Sequence, residues 1–553
     1  MRLELTWPNK DKFLLNPKDD TGKPVWVERD HPAAAEVRLT DFTDSVGEVN
    51  DADPHADNLL FTGDSLDFLR VLVEVPEYAR EYRGKVKLVY IDPPFNTGQT
   101  FAHYDDWMEH STWLSFMRER LLLIKELLAP DGSVWVHLDD AEQHRMRLLM
   151  DEIFGPRNFV ATFVWERTDI PAMQASVTMS QDYLHVYRGG EAFAPNGFVT
   201  EEVADHYNKV DADGRAYCLR TLRMTGPGSA RADRPTMWFS IPAPDGTEVW
   251  PIRSDGTEGR WRWGPDRVGR DENTLEWVER DGQWEPYRRI YAGTSTRPPA
   301  TLLKYTDVGS NRIAKLEIRK LFPGVNPFAT PKPESLMERV LHIGSGPGDI
   351  VLDCFGGSGT TAAVAHKMGR RWLTSEILPA TVAEFTRPRL EKVVAGSDTG
   401  GISKAIGWAG GGGFRAVTLA ESMYEVTPYG VMLADWATNG RFARAVAGQL
   451  GFDWEPDGLF SGARGRMRLA VFDGTIGAEE VRHVVAALAD KERATIVAQA
   501  VLPGAEETLA ELSKGSRIRK APRDLLTAGA QRSRRRLEAA ERAVQVKMEE
   551  VPA

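Results

Sequence analysis

Asp92-Pro93-Pro94-Phe95 closes an apolar run, VKLVYI, and so stands at the carboxyl end of an expected strand, where open α/β sheets hold their ligands. Two consecutive prolines fix the backbone and remove two N–H donors, leaving carbonyl oxygens free to accept beside a carboxylate and an aromatic ring. That set fits an exocyclic amino group: Asp92 and the Pro93 carbonyl accept its two hydrogens, and Phe95 stacks on the ring that bears it. Such hydrogen bonds aim the nitrogen lone pair at an electrophile, so a weak amine is activated by orientation and without a metal. Taken alone, the same residues also read as a strand-terminating acid followed by a rigid loop.

A second constellation, Asp353-Cys354-Phe355-Gly356-Gly357-Ser358-Gly359-Thr360-Thr361, follows another apolar run and opens a helix. Its glycines let a ligand approach the backbone, and the helix N-terminus offers N–H donors. A turn of this kind serves a dinucleotide, a phosphate or no ligand at all. Two details sharpen it. No Walker lysine follows the glycines, and the next apolar run ends in Glu376, spaced to hold ribose hydroxyls. His137 with Asp139 and Asp140 has metal-ligand residue types but reads as a strand terminus beside the cleft, and no metal is expected. Cys354 reads as a small packing residue rather than a nucleophile.

These residues need a sheet to position them. From residue 58 short apolar runs alternate with helical patterns: NLLFTGD then DFLRVLVEV, VKLVYIDPPF then WLSFMRERLLLIKELL, GSVWVHLDD then EQHRMRLLMDEIFG. This alternation predicts an α/β fold with a mainly parallel, doubly wound sheet, to which FVATFVWER and DYLHVYRG add an antiparallel edge. Residues 1–57 are polar and turn-rich and are expected to form an arm or cap. Residues 58–190 form the half that carries DPPF. From 191 to 325 the alternation stops, and Trp, Arg, Gly and Pro predict a separate insert. It resumes over 326–425, and residues 426–553 repeat it on a small scale as a C-terminal α/β domain ending in a charged helix.

The chain has 553 residues, 42% of them hydrophobic and 27% charged, which excludes disorder and suits three or four domains. Two cysteines, Cys218 and Cys354, supply neither a disulfide framework nor a four-cysteine zinc site. No signal peptide or membrane-length apolar run is present, so a cytoplasmic protein without membrane contact is expected. The formal net charge of −11 argues against a protein that coats nucleic acid indiscriminately.

Together the two constellations resemble the β-class amino-methyltransferases of DNA, in which a catalytic DPP(Y/F) half precedes the cofactor half and a target-recognition region lies between them. The resemblance covers about residues 58 to 425. LELTW, DPPFNTG, WLSFMRERL, HLDDAEQ, LLMDEIFG, GSNRIAKLEIRKLF and GGGGF further resemble the modification subunits of Type III restriction-modification systems. The resemblance implies a Rossmann-like S-adenosylmethionine-dependent core with permuted motif order, the inserted target-recognition domain and the small C-terminal domain. It makes Asp92, Pro93, Pro94 and Phe95 the catalytic motif. Asp353, Phe355, Gly357 and Gly359 become the cofactor loop and Glu376 the ribose-binding acid. Asp64 becomes the contact to the cofactor's adenine, and Thr330, Lys332 and Pro333 the lining of its methionine end. Phe95 stands where the family more often has Tyr; stacking survives the exchange, but a phenolic hydrogen bond does not.

The implied function is site-specific transfer of a methyl group from S-adenosylmethionine to the N6 of adenine in double-stranded DNA, DPP rather than SPP favouring adenine over the N4 of cytosine. The implied partners are a separate helicase or nuclease restriction subunit and a second copy of the chain, as a homodimer. Arg260, Arg262, Arg267 and Arg270 are the candidates for DNA contact. Against that, GRWRWG also reads as a β-hairpin with tryptophans in a local core and arginines balanced by Asp266, Asp271 and Glu272. The run Arg532 to Arg536 reads first as a solvated helix face. A non-catalytic DNA-binding scaffold and a nucleotide-dependent oxidoreductase are the rival functions. The intact DPPF argues against the first, and the second leaves DPPF without a purpose.

Overall fold

The computed structural model describes residues 5–17, 23–97, 108–168, 177–199, 207–280, 282–292 and 296–549. Residues 3 and 4 of LELTW, residue 98 of DPPFNTG and residue 550 of the C-terminal helix lie outside them. The chain forms two compact units, Pro195–Pro299 and the remainder.

The larger unit is built on a ten-stranded sheet. In chain order its strands are β1 (Thr40–Gly47), β2 (Leu59–Thr62), β3 (Val86–Ile91), β4 (Leu128–Leu138), β5 (Phe159–Glu166), β6 (Gln181–Arg188), β7 (Leu302–Leu303), β8 (Ile350–Asp353), β9 (Arg371–Glu376) and β10 (Gly413–Leu419). Their order across the sheet is β7-β5-β6-β4-β3-β8-β9-β2-β10-β1. The central run from β4 to β10 is parallel throughout. Strand β6 joins β4 and β5 antiparallel at one side, as FVATFVWER and DYLHVYRG suggested, and β1 joins β10 antiparallel at the other.

Both faces of the central strands are covered, which is why they read as continuous apolar runs. Val89, Ile91, Val134, Val136 and Leu352 share one core with the helices α1 (Ser65–Glu74), α2 (His110–Leu127) and α3 (Gln143–Phe154). Their alternate neighbours Leu88 and Trp135 are buried on the other face, and a Cβ at Gly344 would meet Leu88 at 2.5 Å and Trp135 at 3.3 Å. Gly344 ends a helix that packs there, and only a residue without a side chain lets it approach so closely.

Two expected boundaries move. Residues 1–57 are more than an arm, because β1 within them is a strand of the core sheet. Its sequence, TDFTDSVG, hides this: as an edge strand it keeps Asp44, Ser45 and Thr43 exposed and offers no apolar run. The insert is 195–299 rather than 191–325. Residues 302–303 pair with β5, and α4 (Asn311–Leu321) packs Ile318 against Phe322 and Phe385 of the core. The insert itself holds a four-stranded antiparallel sheet that includes Ala216–Thr221, Leu275–Arg280 and Gln283–Tyr291, with a small core of Leu222, Ile241, Trp261, Trp263 and Leu275. The C-terminal segment forms its own five-stranded sheet over 453–520, followed by the helix Arg523–Glu549. Among the described residues no helix is long and apolar enough to cross a membrane.

Candidate functional site

Strands β3 and β8 are neighbours in the parallel run, so the DPPF motif and the glycine loop leave the sheet side by side at the carboxyl ends of adjacent strands. They open onto a cleft of about 650 Å³. Asp92, Pro93, Pro94 and Phe95 line it, as do Asp64, Thr330, Lys332, Asp353, Phe355, Gly357 and Glu376. Eleven residues singled out in the sequence therefore meet in one place. Gly359 and Pro333 do not line it; they set the starts of α6 (Thr360–Lys367) and α5 (Glu334–Gly344), at whose N-caps they sit.

The two oxygens of Asp92 differ. Oδ2 accepts from Lys332 Nζ, whereas Oδ1 is buried and meets no hydrogen-bond donor among the described residues. An unmet buried carboxylate oxygen costs about 1–3 kcal/mol unless a ligand satisfies it. The Pro94 carbonyl is engaged, accepting from Trp113 Nε1 at 2.8 Å, a bond that ties the loop to α2. The Phe95 ring is half-buried, backed by His137 at 5.8 Å and 33°. Asn96, at φ 62°, ends the motif in a left-handed turn, and its amide reaches buried Glu142 at 2.6 Å.

His137 carries no free nitrogen for a metal. Nδ1 meets the Tyr90 hydroxyl at 2.8 Å and Nε2 meets Asp182 at 3.2 Å, while Asp139 caps Ala141 and Asp140 accepts from Tyr183. No cluster of metal-ligand type occurs among the described residues. Cys354 is buried, and burial raises its thiol well above the usual range, so it packs rather than attacks.

On the glycine-loop side, Glu376 accepts from the Gly357 and Leu378 N–H groups, both at 3.0 Å. Asp353 accepts from the Phe355 N–H at 3.0 Å; burial, reinforced by Asp92 and Glu376, pushes its carboxyl up to about 7. Gly359 sits at φ 77°, a conformation that side chains disfavour, and a Cβ there would stand 3.1 Å from Thr386. Asp64 caps α1 through Leu66 N at 2.7 Å and pairs with Arg120 at 3.0 Å.

Sequence reasoning missed the buried ion network that seats the cleft wall. Glu334, the residue after Pro333, accepts from Lys367 and Arg389, each at 2.8 Å, and Lys367 also meets Asp398 at 2.7 Å. Arg389 continues to Thr360 at 2.8 Å, tying the Lys332 segment to the helix after the glycine loop. No motif marked these residues, since each is an ordinary charge in an amphipathic helix or loop.

In the insert, Trp261 and Trp263 are core residues, and the segment joins its neighbours by isolated bridges rather than as a hairpin. Arg267 and Arg270 both pair with Asp271, at 3.1 and 2.9 Å. Arg260 donates to the Gly228 carbonyl at 2.5 Å and Arg262 to Thr225 at 3.0 Å. In the C-terminal run the expected solvated face is only partial: Arg532 pairs with Glu74 at 2.9 Å and Arg536 with Glu74 and Glu126, leaving Arg534 and Arg535 exposed.

The model of the N6/N4 family described as DNA methylase matches residues 86–387, more than half of the chain. The EcoPI Mod subunit of a type III restriction-modification enzyme, from Escherichia phage P1, is 29% identical over 367 residues, covering 56% of this chain and 55% of that protein. The StyLTI Mod subunit of Salmonella typhimurium is 31% identical over 339 residues, covering 55% and 49%. The type II methyltransferase M.KpnI of Klebsiella pneumoniae is 27% identical over 350 residues, covering 59% and 81%. The chain thus spans about half the length of the Mod subunits it matches.

Proposed function

The chain belongs to the N6/N4 DNA methylase family, and from that membership we propose that it transfers a methyl group from S-adenosylmethionine to the N6 amino group of adenine at specific sites in double-stranded DNA. The observation that carries this reading is Asp92 Oδ1, a buried acceptor without a partner among the described residues, at the end of β3 and next to the glycine loop on β8.

The residues present suit the cofactor. Glu376 offers a carboxylate to ribose hydroxyls. The Phe355 and Phe116 rings, 6.2 Å apart, and Asp64 form an apolar wall with one acceptor for the adenine. Thr330 and Lys332 stand at the methionine end. When bound, S-adenosylmethionine supplies a methyl group on a sulfonium centre. The target base must leave the duplex to reach the cleft, at a cost of a few kcal/mol, part of which stacking on Phe95 returns. Asp92 and the Pro93 carbonyl then accept the two amino hydrogens and hold the lone pair in line. Orientation provides most of the rate, and the surplus proton leaves to water after transfer.

The fold reading is that of a Rossmann-like methyltransferase with its catalytic half first in the chain, and the insert 195–299 is its target-recognition unit. The role is that of a modification subunit that protects host DNA, works beside a separate restriction subunit and acts as a homodimer. The coverage of M.KpnI, 81% of its length, favours a second reading, a methylase that acts without such a partner.

Labelled S-adenosylmethionine with plasmid DNA, followed by nucleoside analysis, tests the proposal. N6-methyladenine is expected from the wild type and none from Asp92→Ala, which still binds the cofactor. Retained transfer by Asp92→Ala overturns the role of Asp92, and N4-methylcytosine overturns the choice of base.

A further inference from the structure

The insert's sheet is balanced on one face and not on the other. On the first, Glu276 takes Lys209, Arg289 at 3.0 Å and the Tyr217 hydroxyl at 2.7 Å. Side chains alternate along a strand, so Arg288, next to Arg289, points to the opposite face. There it lies directly across from Arg220 in the register and beside Leu275 of the aromatic core. Like charges paired across a sheet are destabilising. Two more arginines adjoin the same aromatic core. Arg262 lies between its residues Trp261 and Trp263, with its backbone N–H bonded to the Leu222 carbonyl at 2.9 Å, and Arg267 lies 4.6 Å over the Trp263 ring. Burial and then the charges of Arg262, Arg267 and Arg220 hold the Arg288 guanidinium below its ordinary value.

Asp271 is bound to Arg267 and shared with Arg270, and the Arg262 guanidinium donates to the Thr225 hydroxyl at 3.0 Å. Arg220, Arg262 and Arg288 form no ion pair among the described residues, and the Nε atoms of Arg262 and Arg288 are buried without an acceptor there. A set of donors so arranged lacks an anion. Guanidinium forks match phosphate oxygens in pairs.

We propose that Arg220, Arg262, Arg267 and Arg288 form one anion-binding site that takes a phosphate of the DNA backbone and so fixes the insert's register on the duplex. This rests on the DNA methylase reading above. It differs from the motif-derived choice: Arg220 and Arg288 enter, while Arg260 and Arg270 do not. A phosphate contact positions the protein without reading sequence.

The test uses the full chain and the R220Q/R288Q variant, with the exposed R220Q alone as a second variant that disturbs no buried group. Equilibrium binding to a target duplex and a scrambled duplex is measured across a salt series. R220Q/R288Q is expected to weaken both by a similar factor, roughly tenfold, and to lower the slope of log affinity against log salt by about one. The DNA-free melting temperature should hold or rise, because repulsion is removed. Wild-type DNA binding with no change in either variant overturns the site and leaves the methylase reading intact. A loss confined to the target duplex overturns phosphate contact in favour of base reading. Inorganic phosphate, titrated at constant ionic strength without DNA, separates the sources. Tight binding that R220Q/R288Q loses, with DNA affinity unchanged, assigns the site to free phosphate and overturns the DNA assignment. A wild type that neither binds DNA nor transfers methyl overturns both readings.

Discussion

The Lys332 ammonium is bound to Oδ2 of Asp92 across 240 residues of sequence and lies 5.3 Å from the centre of the Phe95 ring. The residue assigned by resemblance to the cofactor's methionine end therefore also touches the acid of the DPPF motif. The ammonium engages Oδ2 and leaves Oδ1 as the oxygen still able to accept.

Lys332→Met removes the donor that holds Oδ2 and leaves the carboxylate free to turn, so the methyl-transfer rate should fall roughly tenfold with cofactor affinity unchanged. Single-turnover rates at saturating S-adenosylmethionine measure this. An unchanged rate would place the role of Lys332 elsewhere, and a parallel loss of cofactor affinity would return it to the methionine end.

Glu376 accepts from two backbone N–H groups on the glycine-loop side of the cleft, Gly357 and Leu378. Glu376→Ala should weaken S-adenosylmethionine binding by about 2–4 kcal/mol, the worth of a pair of charge-assisted hydrogen bonds to ribose. Calorimetry gives the affinity directly, and an unchanged value would mean the cofactor lies in another part of the cleft.

The parts legible in the sequence are those with a strong local pattern. Strands β3, β8 and β9 are buried on both faces; β8 and β9 end in Asp353 and Glu376, and β3 is followed directly by Asp92. Apolar run and motif therefore marked both the strands and the cleft at their ends. β1 was not legible, since an edge strand with exposed polar side chains lacks that signal. Nor was the extent of the insert. The two-residue strand Leu302–Leu303 is too short to show a period, yet its pairing with β5 returns the chain to the core. The pairing of Asp92 with Lys332, the Glu334 network and the Arg220–Arg288 pair are long-range contacts that no local window contains.

Asp353 sets a pH dependence of stability. Its carboxyl is carried up to about 7 by burial first, then by Asp92 and Glu376. A carboxyl raised in the folded protein supports folding while protonated, and that support is lost as pH rises from about 4 through about 7. Asp353→Asn keeps an oxygen for the Phe355 N–H and never ionises. Its melting temperature without cofactor should pull ahead of the wild type over that range and then level off. The limit corresponds to roughly 4 kcal/mol or less. A gap that stays constant with pH would show that Asp353 is ionised throughout.

Trp113 is fully buried in α2, and its indole N–H is the donor to the Pro94 carbonyl at 2.8 Å. Trp113→Phe leaves an aromatic ring in the core and deletes that one bond, so it separates loop placement from folding. A neutral hydrogen bond contributes about 1 kcal/mol. Because the bond holds the peptide next to the Pro93 carbonyl, a few-fold to tenfold fall in kcat is expected, with KM for S-adenosylmethionine unchanged. A smaller ring also costs core packing, which lowers the melting temperature but does not alter kcat below it. Steady-state methylation well under the melting range thus distinguishes the two effects. Unchanged kcat would mean that the two prolines hold the loop without Trp113, whereas a rise in KM for the cofactor would tie α2 to the other half of the cleft.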